Sequence, residues 1–197
     1  MIVGLTGPIG AGKSTVAELL QRHGAIIIDT DQLARDVVAP PSAVLDALAR
    51  EFGPGIVRAD GTLDRAALAA IAFADPAKRA KLNALTHPAI LKRVLALIAQ
   101  QSPSAVVVVV VPLLFESRFQ DNCNAVIAVV APAALRRMRL QTRDGLSIAD
   151  IDARMQAQLA DEDYAREATL VIRNDADREE LERQVDAAWR RLTAAKG

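Results

Sequence analysis

The sequence predicts an α/β fold: a doubly wound, five-stranded parallel sheet with a helical insertion. Five short runs rich in Val and Ile are mostly continuous rather than alternating, as in strands buried on both faces. Helical segments separate these runs, so consecutive strands can be joined by crossovers and run parallel. A glycine-rich loop pattern follows the first run directly and opens a helix, which is the strand–loop–helix order of phosphate-binding folds.

Each predicted element follows from its local pattern of apolar and polar residues. The predicted strands are 2–6, 25–29, 105–111, 125–130 and 168–172. The predicted helices are 14–22, 31–38, 42–52, 64–73, 75–101, 132–142, 147–158 and 177–194. In an open sheet of this kind, ligands bind in the crevice outside the carboxyl ends of the strands.

The spacing of the strands is uneven, and the two long gaps predict insertions. Between the second and third strands lie about 75 mostly helical residues, far more than a crossover requires. We interpret residues 31–101 as an inserted helical subdomain. A second, highly charged segment, 139–166, precedes the fifth strand and is predicted to be a flap. The whole chain is then one domain, whose nucleotide-binding core is formed by residues 1–30, 102–138 and 167–197.

Composition excludes several classes of function. The chain has 24 basic and 24 acidic residues, so its formal net charge is zero and no nucleic-acid partner is expected. Cys123 is the only cysteine, which excludes an internal disulfide and a thiolate metal cluster. The longest apolar run, 105–114, is too short to span a membrane, and no leader segment is recognised. We therefore expect a cytoplasmic protein without a membrane partner.

The most informative motif is the string from Gly7 to Ser14, which matches the phosphate-loop pattern G-x-x-x-x-G-K-S/T. Such a loop directs backbone N–H groups at phosphate oxygens, and glycines permit its bends. Lys13 can reach the outer phosphates, and the Ser14 hydroxyl can bind magnesium. The predicted nucleotide-binding residues in this region are Gly7, Ile9, Gly10, Ala11, Gly12, Lys13, Ser14 and Thr15.

Two carboxylates, Asp29 and Asp31, stand at the carboxyl end of the second predicted strand. A carboxylate there can accept a proton from a substrate hydroxyl or hold magnesium through water. We predict this functional role for Asp31. For Asp29 two interpretations stay open, namely a helix N-cap and a group behind the site.

Charged residues near the third and fourth strands are weaker indicators of a functional site than the phosphate loop. Arg136, Arg139 and Arg143 share one helix face, which is either a solvated surface or a site for a transferring phosphoryl group. The third strand contains no acid, and Glu116 is the first one after it. Glu116 either serves the site or begins a surface helix. His87, followed by a proline, has no neighbouring ligand for a metal site.

In order along the chain, these segments resemble the dephospho-coenzyme A kinase family, from residue 1 to about residue 190. The matching pieces are Leu5-Thr6-Gly7, Ile9-Gly10, Gly12-Lys13-Ser14, Asp29-Thr30-Asp31, Ala34-Arg35, Asp60-Gly61, Leu63-Asp64-Arg65, Leu82-Asn83, Leu85, His87-Pro88, Pro112-Leu113-Leu114-Phe115-Glu116, Arg143-Asp144, Arg154 with Gln158, and Val171-Ile172 with Asn174. The phosphate loop is shared by many families, whereas the ordered combination is specific to this one.

The resemblance implies transfer of the γ-phosphoryl group of ATP, with Mg²⁺, to the ribose 3′-hydroxyl of dephospho-CoA. It implies a P-loop kinase core, a CoA-side domain formed by the first insertion, and a small helical lid formed by the second. Asp31 matches the acid that takes the hydroxyl proton, Lys13 the phosphate-binding lysine, and Ser14 the magnesium ligand. Arg143 matches a lid arginine, and Asn174 lies in the loop that borders adenine. The implied substrate-binding residues are Asp31, Arg35, Arg65, His87 and Glu116.

The chain departs from the family pattern at the phosphate loop and at the third strand. Pro8 and Ala11 stand where the family usually has Gly and Ser or Ala, and proline contributes no N–H to a phosphate. Val110 occupies a position often held by Asp in relatives. We expect Asp31, Glu116 and water to complete the outer shell of the magnesium ion.

The same residues bear on three other functions. Another P-loop kinase of nucleosides or small metabolites would have the same core. A GTPase needs N-K-x-D and D-x-x-G motifs, and neither occurs in the chain. A nucleic-acid-dependent ATPase is disfavoured by the neutral charge and the lack of a basic stripe. The sequence leaves the oligomeric state open between a monomer and a small homo-oligomer.

Overall fold

The computed structural model describes residues 1–145 and 147–194, apart from the side chain of Asp144. One residue of the predicted flap and the last three residues of the predicted core lie outside the described residues. The chain divides into two compact units. The first contains Met1–Ile28 together with the chain from residue 102 onward, and the second contains Asp29–Gln101.

A five-stranded sheet forms the centre of the first unit, as predicted. Its strands are β1 (Ile2–Thr6), β2 (Ile26–Asp29), β3 (Val107–Val110), β4 (Ala125–Val130) and β5 (Leu170–Arg173). Their order across the sheet is β2-β3-β1-β4-β5, with parallel pairing of β1 with β3 and β4 and of β4 with β5. The phosphate-loop pattern therefore follows the central strand.

Helices connect the strands. They are α1 (Lys13–Arg22), α2 (Thr30–Asp36), α3 (Ala43–Phe52), α4 (Arg65–Ala72), α5 (Pro76–Ala99), α6 (Ala133–Asp144), α7 (Ile148–Gln156), α8 (Asp161–Glu167) and α9 (Arg178–Ala194). Short 3₁₀ turns occupy Pro54–Ile56 and Phe119–Asn122. The bounds agree with the predicted helices to within two residues, except at α8.

Burial on both faces explains the continuous apolar runs of the strands. Val3 and Leu5 of β1 and Ile127 and Val129 of β4 are fully buried. Helices α1 and α9 contribute to the same apolar core, which also contains Ile172 of β5. Each fully buried large aliphatic side chain contributes about 1.5–3 kcal/mol of transfer free energy, so this sheet is a stable platform for the loop that follows β1.

The second unit is helical and has its own core. Leu48, Ile56 and Ala72 are fully buried at the centre of a cluster that draws on α3, α4 and the first 3₁₀ turn. Side chains of Ser42, Asp64 and Asp75 cap the N-termini of α3, α4 and α5 by accepting backbone N–H groups.

The α8 helix lies in the predicted flap except for its last residue, Glu167, and was not predicted as a helix. Its sequence, DEDYARE, contains one large apolar residue, Tyr164, which is fully buried. A single buried side chain produces no helical period in the sequence. Helix α6 also extends to Asp144, past the predicted start of the flap at residue 139.

Among the described residues, helix α5 is long and apolar enough by composition to cross a membrane, with a mean hydropathy of 1.2 over an 18-residue window. Its 24 residues include Lys92 and Arg93. Charged side chains at the centre of a bilayer are costly. Length and composition alone therefore give only weak evidence for a membrane segment.

Candidate active site

The phosphate loop joins β1 to α1 and depends on its glycines. Gly7, Gly10 and Gly12 have φ values of 142°, 79° and 98°, which residues with a Cβ rarely adopt. A Cβ on Gly7 would also collide with the backbone carbonyl oxygen of Val129 on β4. The loop thus packs directly against the neighbouring strand, at the carboxyl end of the sheet.

Substitution of Gly7 by alanine is expected to destabilise the protein by about 3 kcal/mol, because it adds a collision to the strained φ. Gly24 is the matched control, since it has a φ of 97° with nothing within 4 Å of an added Cβ. Gly24→Ala should cost about 1 kcal/mol. Urea unfolding of both variants measures the difference, and equal losses would show that the contact with Val129 is unimportant.

Lys13 lies across the beginning of the loop. Its Nζ donates hydrogen bonds to the carbonyl oxygens of Gly7 (2.7 Å) and Pro8 (3.2 Å). Ser14 is exposed in the first turn of α1, and Thr15 follows it half-buried. The ammonium group and an accessible hydroxyl therefore lie beside the loop, together with the N-terminus of α1, whose partial positive charge favours anions.

The loop carbonyls on the side of Ala11 are held by Asn174 and Arg139. Asn174, which follows β5 and is 8% exposed, donates from Nδ2 to the carbonyl oxygen of Ala11 at 2.8 Å. Arg139 of α6 donates to the carbonyl oxygens of Gly10 (3.5 Å), Ala11 (3.4 Å) and Asn174 (3.1 Å). Asn174, a predicted site residue, therefore contacts the loop itself.

Arg136 is the most deeply buried cation near the loop, with 4% of its surface exposed. Its Nη1 donates to the carbonyl oxygen of Ile9 (3.4 Å), and its Nε donates to that of Ala131 (3.0 Å). Its Nη2 contacts both carboxylate oxygens of Asp161, each at 2.9 Å. A buried guanidinium needs such a full set of acceptors, because an unpaired buried charge is costly.

Sequence reasoning put Arg136 and Arg139 on one helix face with Arg143 but assigned only Arg143 to the site. The structure brings the first two to the loop, and the signal for them was their three-residue spacing on the helix. Arg143 is exposed in the last turn of α6. Gln158 was also missed as a site residue, although it accepts the N–H of Ile9 on Oε1 at 2.7 Å.

The acidic pair after β2 has two different roles in the structure. Asp29 is the N-cap of α2, and its Oδ1 accepts the backbone N–H groups of Asp31 (2.8 Å) and Gln32 (3.4 Å). Asp31 lies in the first turn of α2 with an exposed side chain. Of the two interpretations of Asp29, the structure supports the helix cap.

The remaining predicted substrate-side residues are distributed over several elements. Arg35 lies in α2, Arg65 begins α4 and His87 lies within α5, and all three side chains are exposed. Glu116 is exposed in a turn after β3, so the alternative that it begins a helix is wrong.

Tyr164 of α8 is buried in a small apolar cluster with Ala128 and Val130 of β4. Its ring centroid is 6.0 Å from that of Phe115, and its hydroxyl is fully buried without a hydrogen-bond partner among the described residues. Burial raises the pKa of the Tyr164 hydroxyl above its ordinary value, and the negative charges of Glu116 and Asp161 raise it further. The hydroxyl is therefore neutral at physiological pH.

A magnesium ion fits the residues at the loop. Within residues 1–145 and 147–194, no three His, Cys, Asp or Glu side chains form a metal-binding group. Magnesium in phosphoryl-transfer sites usually keeps several waters and takes few protein ligands besides substrate phosphates. The exposed Ser14 hydroxyl beside the loop is compatible with that mode of binding.

The fold resembles that of a solved shikimate kinase from Bacteroides thetaiotaomicron, with a TM-score of 0.55 and 18% identity over 98% of each chain. At this identity the likeness supports the fold alone. Together with the glycine loop after the central strand and the lysine on its carbonyls, this likeness defines an α/β fold of the P-loop kinase type.

The chain belongs to the dephospho-CoA kinase family, whose family model matches residues 1–180. It is 47% identical to the dephospho-CoA kinase of Moorella thermoacetica, over 97% of this chain and 92% of that protein. Identity to the dephospho-CoA kinase of Deinococcus radiodurans is 48%, over 96% and 91%. The crystal structure of TT1252 from Thermus thermophilus is similar over 98% of both chains, with a TM-score of 0.86 and 35% identity. The resemblance predicted from the sequence is confirmed.

Proposed function

We propose that the chain transfers the γ-phosphoryl group of ATP to the ribose 3′-hydroxyl of dephospho-CoA, giving CoA and ADP. The observation that carries the proposal is the phosphate loop with Lys13 on its first two carbonyls, in a chain that belongs to the dephospho-CoA kinase family. Family membership favours dephospho-CoA over the alternative of a nucleoside or another small metabolite as the acceptor.

Phosphoryl transfer requires positioning and charge stabilisation more than covalent chemistry. The N–H groups of the loop surround the phosphates, and Lys13 neutralises charge on the outer ones. Magnesium, when bound at the Ser14 hydroxyl, supplies further positive charge to the phosphates. Arg139 and Asn174 stabilise the shape of the loop, because they donate hydrogen bonds to the carbonyl oxygens of Gly10 and Ala11.

In this mechanism Asp31 is the base that accepts the proton of the 3′-hydroxyl. Its exposed position in the first turn of α2 leaves the carboxylate accessible to a substrate. Arg35, Arg65, His87 and Glu116 bind the acceptor, and Arg143 stabilises charge on the transferring group. Residues 31–101 form the acceptor domain and residues 139–166 the lid, in an enzyme that acts in the cytoplasm as a monomer or a small homo-oligomer.

The direct test is release of ADP from ATP and magnesium with and without dephospho-CoA, with the product identified by mass. Strong stimulation and formation of CoA are expected. Without acceptor, ADP release should be very slow, because closure of the lid excludes water from the phosphates. No stimulation by dephospho-CoA, combined with stimulation by a nucleoside, would reject the proposed acceptor in favour of the alternative.

Asp31 and Glu116 are proposed to hold the water shell of the magnesium ion. We therefore expect Asp31→Asn and Glu116→Gln to raise the magnesium concentration for half-maximal nucleotide binding several-fold. The measurement is a magnesium titration of the binding of fluorescent ATP. Asp46→Asn, an exposed carboxylate on α3, is the control. Identical titration curves for all three variants and the wild type would remove both residues from the shell.

A further inference from the structure

Both backbone groups of Ile9 are held by side chains from the segment that follows β4. The N–H of Ile9 donates to Gln158 Oε1 (2.7 Å), and its carbonyl oxygen accepts from Arg136 Nη1 (3.4 Å). Arg136 is in turn paired with Asp161, three residues after Gln158. Ile9 is therefore held by Gln158, which lies between α7 and α8, and by Arg136 of α6, which is itself paired with the first residue of α8.

The peptide group between Pro8 and Ile9 links this contact to Lys13. The carbonyl oxygen of that group accepts from Lys13 Nζ at 3.2 Å, while its N–H donates to Gln158. A peptide group is planar, so its carbonyl and its N–H cannot turn independently. Gln158 and Lys13 thus hold opposite edges of one rigid plane.

The chemistry of the contact fixes the orientation of the Gln158 amide. A backbone N–H can only donate, so the side-chain atom that faces it is the oxygen. Pro8 restricts the loop further, because its ring fixes φ near −65°. The Pro8–Ile9 peptide plane can still rotate about the backbone torsions on either side of it, Pro8 ψ and Ile9 φ. The hydrogen bond to Gln158 restrains this rotation.

We propose that Gln158 is a positioning residue for Lys13. By holding the Ile9 N–H, its side chain orients the Pro8 carbonyl that fixes the Lys13 ammonium beside the phosphates. The inference rests on the proposed function only in that Lys13 contacts the outer phosphates of ATP. Because Gln158 lies in the proposed lid, it also connects the lid to the placement of the phosphate-binding lysine.

The first test compares Gln158→Met, which has a similar length but no acceptor, with the matched control Gln156→Met. The Gln156 side chain is exposed and makes no hydrogen bond to the described residues. Gln158→Met should lower kcat roughly three- to tenfold, which is the range for the loss of one hydrogen bond. Gln158→Glu keeps an acceptor oxygen and should restore kcat to within about twofold of wild type. The thermal midpoints of the three variants should agree with that of the wild type within a few degrees.

The second test asks whether Gln158 acts through Lys13. The dissociation constant of ATP is measured for Gln158→Met in the wild-type and in the Lys13→Ala background. A rise of about threefold in the first and no change in the second is expected, since coupled residues are non-additive. An equal rise in both backgrounds would overturn the inference, as would a wild-type kcat for Gln158→Met. Failure of the wild-type chain to phosphorylate dephospho-CoA would reject the proposed function instead, and the binding test would still decide the role of Gln158.

Discussion

Replacement of Lys13 by alanine is expected to lower kcat at least about 10³-fold, the effect of removing a preorganised charge beside a transition state. The ammonium group lies on the carbonyl oxygens of Gly7 and Pro8, and in the proposed mechanism it faces the transferring phosphoryl group. Negative charge on the outer phosphates is then left without its main cationic partner from the loop. Steady-state kinetics with dephospho-CoA and single-turnover measurements determine the loss.

Lys92→Ala is the matched control for this substitution, because Lys92 is an exposed lysine on α5. We expect it to retain wild-type turnover. Circular dichroism should show that Lys13→Ala is folded, because the loop keeps its bonds to Asn174 and Arg139. A folded Lys13→Ala variant that keeps more than about a tenth of wild-type kcat would contradict the role assigned to the lysine.

Replacement of Asp31 by asparagine is expected to lower kcat by roughly 10²–10⁴-fold, the usual contribution of a general base. The substitution keeps the size of the side chain but removes its ability to accept the proton of the 3′-hydroxyl. Its backbone N–H still donates to Asp29, so the cap of α2 is retained. At saturating magnesium the affinity for ATP should change little, because the loop is untouched, and the loss should therefore appear in kcat.

Asp36→Asn on the same helix controls for the general effect of removing a carboxylate. Asp36 accepts a hydrogen bond from Gln32 on the helix surface, which an asparagine oxygen can also accept. We expect its kcat to lie within about twofold of wild type. Wild-type kcat for Asp31→Asn would show that another group, or water alone, removes the proton.

These effects differ from those expected at Gln158, and the difference separates two kinds of residue. Lys13 and Asp31 are proposed to contact the reacting groups, so each substitution removes an interaction made in the transition state. Gln158 contacts a peptide group that in turn contacts Lys13, so its loss changes only the distribution of lysine positions. We therefore expect the kcat of Gln158→Met to be well above the kcat of Lys13→Ala and of Asp31→Asn.

The sequence by itself was sufficient for the sheet, for most helices and for the phosphate loop. Continuous apolar runs report burial on both faces, and they fixed β1 and β4 to the residue. The loop is recognisable because its function depends on residues close together in the chain, from Gly7 to Ser14. The family also followed from ordered local motifs, and the family model confirmed it.

Only the tertiary structure decided what surrounds the loop. Gln158 and Arg136 bind Ile9 from 149 and 127 residues away, and Asn174 binds Ala11 from 163 residues away. Hydrogen bonds between such distant positions leave no periodic signal, because each depends on where the sheet and α6 place the two partners. Arg136, Arg139 and Arg143 look equivalent on a helix face, yet the fold buries the first against Ile9 and leaves the third exposed. The phosphate loop can be predicted because its functional residues are neighbours in the sequence. The side chains that support the loop cannot, because they reach it only when folding packs distant elements together.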